Sequence, residues 1–362
     1  MKNRLAVKTI RDLGPQFTDN DYRMVGQDGA YSIPLKNETL WFFGDTLIGE
    51  RAPGDSLWYV KENSIEPQAL VEGWNKIDKI IHNTAALVPE QSAENGISDF
   101  NHIRRANGSL KQLIGLLPNE NHDFDRIWCF HGLNTADYLY LYYQKIKMIE
   151  DENNPFPVAF EVIGSGLSKG DTDSWAFERL LYNGSTIIWP ANRPQFGAVV
   201  LRDADYLYLY GVLRDNTAGV QNVYVARVLC SSIEDFAIYE YLVDCTQARW
   251  STDIEQACIV FTGPPNELSV SFNRHLDSYL AVHSQDVSGI IVGRTAPNPW
   301  GPWFEPVVLH TVTLPKKKIP YPVLVYAGKE HPELAQDGGR KIYVTYIEFE
   351  EYFPHLLEIE LT

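Results

Sequence analysis

The chain of 362 residues has few cysteines, no long apolar run and a shortage of basic residues. No stretch approaches the ~18 uninterrupted apolar residues of a membrane-spanning helix, so we expect no membrane span. Lysine and arginine number 31 against 47 aspartates and glutamates, which gives a formal charge of −16. Because phosphate recognition needs a basic face, this balance argues against nucleic acids and anionic membranes as partners.

The four cysteines show no metal-ligand spacing. Cys129, Cys230 and Cys258 lie in apolar surroundings that are typical of buried thiols, and free thiols favour a reducing compartment. Charged residues interrupt the first dozen positions, so no secretory signal is visible. These features together predict a cytoplasmic protein.

Several catalytic signatures are also missing. The sequence has no Gly-x-Gly-x-x-Gly after a strand, no phosphate-binding loop and no His-Glu-x-x-His, and residues 163–166 do not complete a Gly-x-Ser-x-Gly elbow. The repeated Ser-x-Asp box of sialidases is absent too. We therefore expect neither a nucleotide-dependent enzyme nor a zinc protease or serine hydrolase.

A repeated strand pattern is the main positive signal, and it is rich in the 20 tyrosines. Five segments each combine an apolar strand, a polar turn and an aromatic-rich strand, and the later ones recur at nearly even intervals of roughly 70 residues. The segments are residues 30–44, 127–143, 196–211, 267–283 and 321–347. Each interval leaves room for two further strands.

A four-stranded antiparallel sheet repeated five times predicts an all-β fold, a five-bladed β-propeller around a central funnel. Residues 223–228 and 290–294 fit as third strands. Two β-sandwiches are the alternative, but sandwich strands need not recur at fixed intervals.

We expect one domain over residues 1–362, with the ring closed by terminal strands at 4–12 and 356–361. An insertion or long excursion is expected around 50–125, and it contains the best helical candidate, 110–116.

The first strand of each propeller blade lines the funnel, so the residues that open these strands converge although they are distant in sequence. The first segment opens at Asp28, between two glycines, and its hairpin ends at Asp45; Glu267 opens the fourth. These three acids are the catalytic candidates. The expected substrate-binding residues are Trp128, His131, Arg193, Phe196, Ser269, Lys329 and His331, the last two in a loop after 321–327. Acids, aromatics and hydrogen-bonding side chains in one pocket favour carbohydrate as the ligand.

Each candidate also has a purely structural interpretation. Asp28 between glycines is a good turn-capping residue, and Asp45 is well placed to accept backbone hydrogen bonds at a strand end. Glu267 could be a surface acid at a strand start. His131, between Phe130 and Gly132, is more often a satisfied, half-buried histidine than a ligand contact.

These motifs, in this order, resemble the five-bladed propeller glycosidases, the superfamily of arabinanases, β-xylosidases and fructosidases, and particularly its poorly characterised branch. The resemblance implies that Asp28 is the general base or nucleophile and Glu267 the general acid. A third acid, which orients the proton donor in such enzymes, has no match, because the third blade opens with Phe196. Some relatives in that branch use two N-terminal aspartates, which implies Asp28 with Asp45. Both pairings stay open.

Glycoside hydrolysis needs one protonated carboxyl and one ionised carboxyl, and two acids in one pocket split their pKa values accordingly. We therefore expect a hydrolase of furanoside or pentose-type linkages that needs no cofactor, apart from a structural calcium ion that the funnel could hold. A non-catalytic propeller that binds glycan or protein is the alternative. A glycosyl-transferring phosphorylase would need Lys329, Arg193 and Arg274 to converge near Asp28.

Overall fold

The structure is a computed structural model, and it describes residues 5–51, 57–58, 77–151, 154, 156, 158–314, 321 and 323–362. Within these ranges, twenty-four strands form five antiparallel sheets, and the helical elements are 3₁₀ turns of three residues each. The turns are Cys230–Ser232, Phe236–Ile238, Ile254–Gln256, Pro332–Leu334 and Asp337–Gly339. No helix in the described part of the chain has the length and apolarity needed to cross a bilayer.

The strands are numbered in chain order, and those of each blade are named from the innermost strand, at the funnel, to the outermost. The first blade is built from β2 (Met24–Pro34), β3 (Glu38–Gly49), β5 (Thr84–Pro89) and β6 (Asn101–His102), with β4 (Ile77–Ile81) also pairing with β3. The second blade is β7 (Asp125–Asn134), β8 (Leu139–Met148), β9 (Phe160–Gly170) and β10 (Phe177–Arg179), with β11 (Trp189–Pro190) on β9.

The third blade comprises β12 (Gln195–Asp203), β13 (Tyr206–Asp215), β14 (Val220–Leu229), β15 (Glu240–Asp244) and β16 (Arg249–Ser251), with β17 (Phe261–Thr262) on β14. The fourth blade is β18 (Leu268–Asn273), β19 (Ser278–Gln285), β20 (Ile290–Ala296) and β21 (Val307–Thr311). The fifth blade is β22 (Val325–Glu330), β23 (Lys341–Glu348), β24 (Pro354–Leu361) and β1 (Val7–Pro15). The predicted five-bladed propeller is confirmed, and β14 and β20 are the predicted third strands.

The two ends of the chain meet in the fifth blade, where β1 pairs antiparallel with β24. Thr9 lies opposite Glu360 and Asp12 opposite Leu357 in this ladder. The strand nearest the N-terminus therefore forms the outer edge of a blade whose other strands come from the end of the chain.

The aromatic second strand of each repeat is buried between neighbouring blades. Tyr142, Tyr143, Tyr210 and Tyr343 are fully buried on these strands, which explains why apolar and aromatic residues follow one another there without polar interruption. Packing of blade against blade thus removes from water the faces that a single sheet would expose.

Residues 110–116 form no helix, so that prediction is wrong. The Asn83 side chain accepts hydrogen bonds from the Leu113 and Ile114 amides, at 3.0 and 2.9 Å, and both side chains are buried. An amide side chain and core packing therefore satisfy this segment without helical bonds. The prediction of buried thiols holds for Cys129, whereas Cys230 and Cys258 are half-buried.

Bulges interrupt the inner strands of four blades close to one mouth of the funnel. The pairing register shifts around Asp28 on β2, between Cys129 and Gly132 on β7, between Phe196 and Val199 on β12, and between Tyr326 and Lys329 on β22. A bulge inserts an extra residue and turns the local side chains relative to the regular pleat. Lys329 and Glu330 therefore belong to a strand, not to the predicted loop.

Candidate active site

Asp28 lies on the bulged part of β2, with its carboxyl held between the first and fifth blades. The Tyr326 hydroxyl donates to Asp28 Oδ2 at 2.9 Å, and Tyr352 also hydrogen-bonds this carboxyl. Burial, followed by the negative charges of Asp45 and Glu267, raises the pKa of Asp28 to about 8. Asp28 therefore stays protonated well above the pH at which a solvated aspartate ionises.

Asp45 lies on β3, near the far end of the same hairpin. Burial raises the pKa of its carboxyl to about 7, although the Arg126 charge and the nearby Trp128 indole both lower it. Among the described residues, Asp45 Oδ1 and Trp128 Nε1 are buried without a hydrogen-bond partner. The Trp128 indole lies close enough to the Asp45 carboxyl to act on it as a hydrogen-bond donor, so the two groups compensate each other in part.

Glu267 immediately precedes β18 and forms an ion pair with Lys329, whose Nζ lies 2.5 Å from Glu267 Oε2. The same Nζ donates to the Gly29 carbonyl at 3.0 Å and lies 4.5 Å from the centre of the Tyr31 ring. The side chains of Lys329 and Glu267 are only 2% and 15% exposed. Lys329 therefore compensates the negative charge of Glu267 inside the funnel.

The two predicted histidines make structural hydrogen bonds. His131 bonds the Ser32 carbonyl through Nε2 at 3.2 Å and accepts from the Val200 amide through Nδ1 at 2.9 Å. Burial lowers the pKa of His131 to about 4, so the ring is neutral and joins two blades. His331 is fully buried and bonds Ser32 Oγ and Thr345 Oγ1 at 2.8 and 2.7 Å, which leaves neither ring nitrogen for a ligand.

Three other predicted contacts lie away from the acids. Phe196 is fully buried against Trp189. Arg193 forms an ion pair with the exposed Glu255. Ser269 accepts the Glu330 amide at 2.7 Å.

Arg274, which a phosphorylase site would need close to Asp28, does not lie there. Arg274 follows the last residue of β18, whereas Glu267 precedes the first, so the two are separated by the length of that strand. A phosphate pocket formed jointly by Lys329, Arg193 and Arg274 is therefore not supported.

Four residues of the site were not predicted from the sequence. Tyr326 and Tyr352 lie in the last blade, and nothing local distinguishes them from the many other tyrosines. Arg126 lies two residues before Trp128 on β7. Gly44 was noted only as the neighbour of Asp45, whereas its role in the structure is to leave room for the Asp28 carboxyl.

A methyl group at Gly44 would lie 2.5 Å from Asp28 Oδ1, well inside contact distance. We expect Gly44→Ala to displace the Asp28 carboxyl and to lower kcat/KM about 100-fold, because a small misplacement of a reacting group is costly. The change in Tm should be a few degrees at most. Gly115→Ala is the matched control, since nothing lies within 4 Å of the added methyl group. Unchanged kcat/KM in Gly44→Ala would contradict the placement of Asp28.

A cavity of about 370 Å³ lies between the inner strands, and three predicted substrate-binding residues, His131, Ser269 and Lys329, line it. Glu330 and Glu333 line it, and each accepts a serine hydroxyl at 2.7 Å, from Ser271 and Ser32 respectively. Burial raises the pKa of Glu330 to about 7. In the described ranges, no group of three or more His, Cys, Asp or Glu side chains is arranged to hold a metal ion.

The protein is a five-bladed β-propeller in which Asp45 and Glu267 lie close enough to Asp28 to act on its carboxyl. The chain belongs to the family described as Domain of unknown function (DUF4185), whose model matches residues 13–358. No curated protein matches the chain.

The fold is shared with solved structures. A proposed hydrolase from Bacteroides ovatus matches with a TM-score of 0.61 at 15% identity, over 96% of this chain and 87% of that one. A family 117 glycoside hydrolase from Zobellia galactanivorans matches with a TM-score of 0.49 at 9% identity, over 98% and 90%. An endo-arabinase from Bacteroides thetaiotaomicron matches with 0.47 at 11%, over 95% and 98%. At 15% identity the likeness to the Bacteroides ovatus structure shows the fold alone.

Proposed function

We propose that the protein is a glycoside hydrolase and that Asp28 and Asp45 are its catalytic carboxyls. The observation that supports this most directly is the pair itself: two half-buried acids on one hairpin, with pKa values raised to about 8 and about 7. Since their charges interact, the two values belong to the pair rather than to either residue. Between them lies a pH range in which the pair holds one proton, which is the state that glycoside hydrolysis requires.

Glu267 fits the second catalytic position less well. Its Oε2 is already engaged in an ion pair with the Lys329 ammonium at 2.5 Å. Within the described ranges, Asp45 forms no ion pair, although the Arg126 charge and the Trp128 indole act on its carboxyl. We therefore favour the pairing of Asp28 with Asp45, and we assign Glu267 to binding or electrostatic support of the sugar ring.

The chemistry follows the general scheme for two carboxyls. The protonated member gives its proton to the glycosidic oxygen as the C1–O bond breaks and the bonding electrons pass to that oxygen. The ionised member either attacks C1, forming an ester that water later hydrolyses, or takes a proton from a water molecule that attacks C1. Either route consumes one water molecule and releases two hydroxylated products.

The substrate class remains the one that the resemblance implies, a furanoside or a related pentose linkage. Trp128 lies beside Asp45 with a half-buried ring, so it is placed to contact a sugar bound at the pair. Screening should therefore begin with aryl furanosides and pentosides and with arabinan and xylan, followed by fructan.

The test is turnover by the purified protein on this panel, together with its pH dependence. We expect a bell-shaped profile of kcat/KM with limbs near pH 7 and pH 8, because activity is lost when the pair is doubly protonated below and doubly ionised above. Calorimetry with the same glycans separates the alternatives. Binding without turnover on any substrate would favour the non-catalytic propeller, and a flat profile through pH 6–9 would remove the carboxyl pair from the mechanism.

A further inference from the structure

Two phenols of the fifth blade contact the carboxyl of Asp28 in the first blade. Tyr326, on β22, donates to Asp28 Oδ2 at 2.9 Å, and Tyr352, in the turn between β23 and β24, hydrogen-bonds both Asp28 and Tyr326. Asp28 is separated from these tyrosines by about three hundred residues, so the triangle forms only where the first and last blades meet.

Tyr352 has an uncommon backbone conformation that directs it to this place. Its φ is +61°, a left-handed value that costs a bulky residue of order 1–3 kcal/mol. Its carbonyl accepts the Gln27 amide at 2.5 Å, directly beside Asp28 in the chain. A methyl group at Gly26 would lie 2.8 Å from Tyr352 Cδ1, so only glycine lets the ring pack against β2.

The turn that carries Tyr352 is held from several sides. The Arg51 guanidinium donates to the Glu350 and Glu351 carbonyls. The Trp58 indole donates to the Phe349 carbonyl at 2.9 Å, and its ring lies 5.2 Å from that of Tyr352. These contacts support a strained residue next to a reacting group, a combination found at functional sites.

Both phenols are neutral donors at any working pH. Burial and the Asp28 charge raise the pKa of Tyr326 and Tyr352 well above the usual range, so neither becomes a phenolate. Hydrogen bonds donated to a carboxylate favour its charged form, and here they lower the pKa of Asp28 against burial and against Asp45. The titratable groups that act directly on Asp28 are Asp45, Glu267, Tyr326 and Tyr352. Two more titratable groups lie next to these residues: Lys329 forms an ion pair with Glu267, and the Cys129 thiol packs on Gly29.

We infer that Tyr326 and Tyr352 are positioning residues that fix the Asp28 carboxyl and stabilise its ionised form across the seam between the first and last blades. The catalytic meaning of this inference rests on the proposed function, but the electrostatic coupling does not, because it can be measured without a substrate. No family motif in the sequence assigns either tyrosine a role.

The first experiment measures Tm for Tyr326→Phe and Tyr352→Phe at pH 5 and pH 9. Loss of a donor leaves the ionised carboxyl less supported and raises the pKa of Asp28, so stability is lost as pH rises through that value. We therefore expect each variant to be destabilised more at pH 9 than at pH 5, with the difference removed in the Asp28→Asn background. Tyr182→Phe is the control: its half-buried ring packs on Phe236, and it should show no such dependence.

The second experiment uses the substrate that the parent cleaves. We expect kcat to fall about 10-fold in each variant with KM unchanged within 2-fold, and the basic limb of the kcat/KM profile to move to higher pH. Equal loss of Tm at both pH values, or a loss that persists with Asp28→Asn, would reduce the tyrosines to packing and overturn the inference. If the pH-dependent coupling appears but no glycoside is cleaved, the proposed function fails while the coupling stands.

Discussion

Replacing Asp28 with asparagine is expected to lower kcat on the best glycoside about 10³-fold, and Asp45→Asn should have an effect of similar size. In the proposed mechanism either change removes one of the two carboxyls that act on the reacting atoms, and general acid–base catalysis alone contributes about 10²–10⁴-fold. Asparagine keeps the shape of the side chain, so Tyr326 and Tyr352 can still hydrogen-bond at position 28.

The Tm of Asp28→Asn at two pH values tests the raised pKa of Asp28 independently of turnover. A carboxyl whose pKa is raised by folding contributes stability below its unfolded pKa, and that contribution is lost as pH rises through the folded value near 8. Asp28→Asn should therefore have a higher Tm than the parent at pH 9 and a similar or lower one at pH 5. Asp21→Asn, an exposed position just before β2, is the control that should change neither property. Parent-like turnover by Asp28→Asn would remove this residue from the mechanism.

Replacing Lys329 with methionine is expected to have the largest effect on stability. The Glu267 carboxylate would remain in the funnel without its counter-ion and close to two further acids, and breaking a buried ion pair in this way costs about 3–5 kcal/mol. We expect Tm to fall by about 4–7 °C at pH 8. The fall should be smaller at pH 5, where the acids of the cluster are more easily protonated.

A double variant separates the charge from the packing of Lys329. Lys329→Met combined with Glu267→Gln removes both charges, so most of the lost Tm should return, and the double-mutant cycle gives the coupling between the two residues. The Gly29 carbonyl and the Tyr31 ring would still lose their ammonium contact. If Lys329→Met melts at the parental temperature, the ion pair is not important for the stability of the funnel.

The fold was accessible from sequence because its signal is repeated. Strands such as 206–211 and 279–283 place aromatic and aliphatic residues on both faces, which is how a blade packed between two neighbours differs from a half-exposed sheet. The helix predicted at 110–116 does not form, because its apolar side chains are buried in the core and the Asn83 side chain accepts hydrogen bonds from two of its backbone amides. A long-range contact of this kind leaves no trace in local spacing.

The acids of the site were also accessible, since glycines on either side of Asp28 and before Asp45 mark a backbone that lets groups approach closely. The structural roles of the two histidines could not be predicted from the sequence. His131 and His331 each turn both ring nitrogens to protein acceptors or donors. Which face of an inner strand a side chain occupies depends on the bulges, and a bulge shifts that face by one residue.

The strand β1 pairs with β24, and the Tyr352 carbonyl accepts the Gln27 amide, so segments far apart in the sequence complete each other. Asp28 and the phenols that contact it are about three hundred residues apart. A product truncated before Tyr326 would carry both aspartates and still lack the surroundings that tune them. Those surroundings form only when β22 and the turn at Tyr352 join β2.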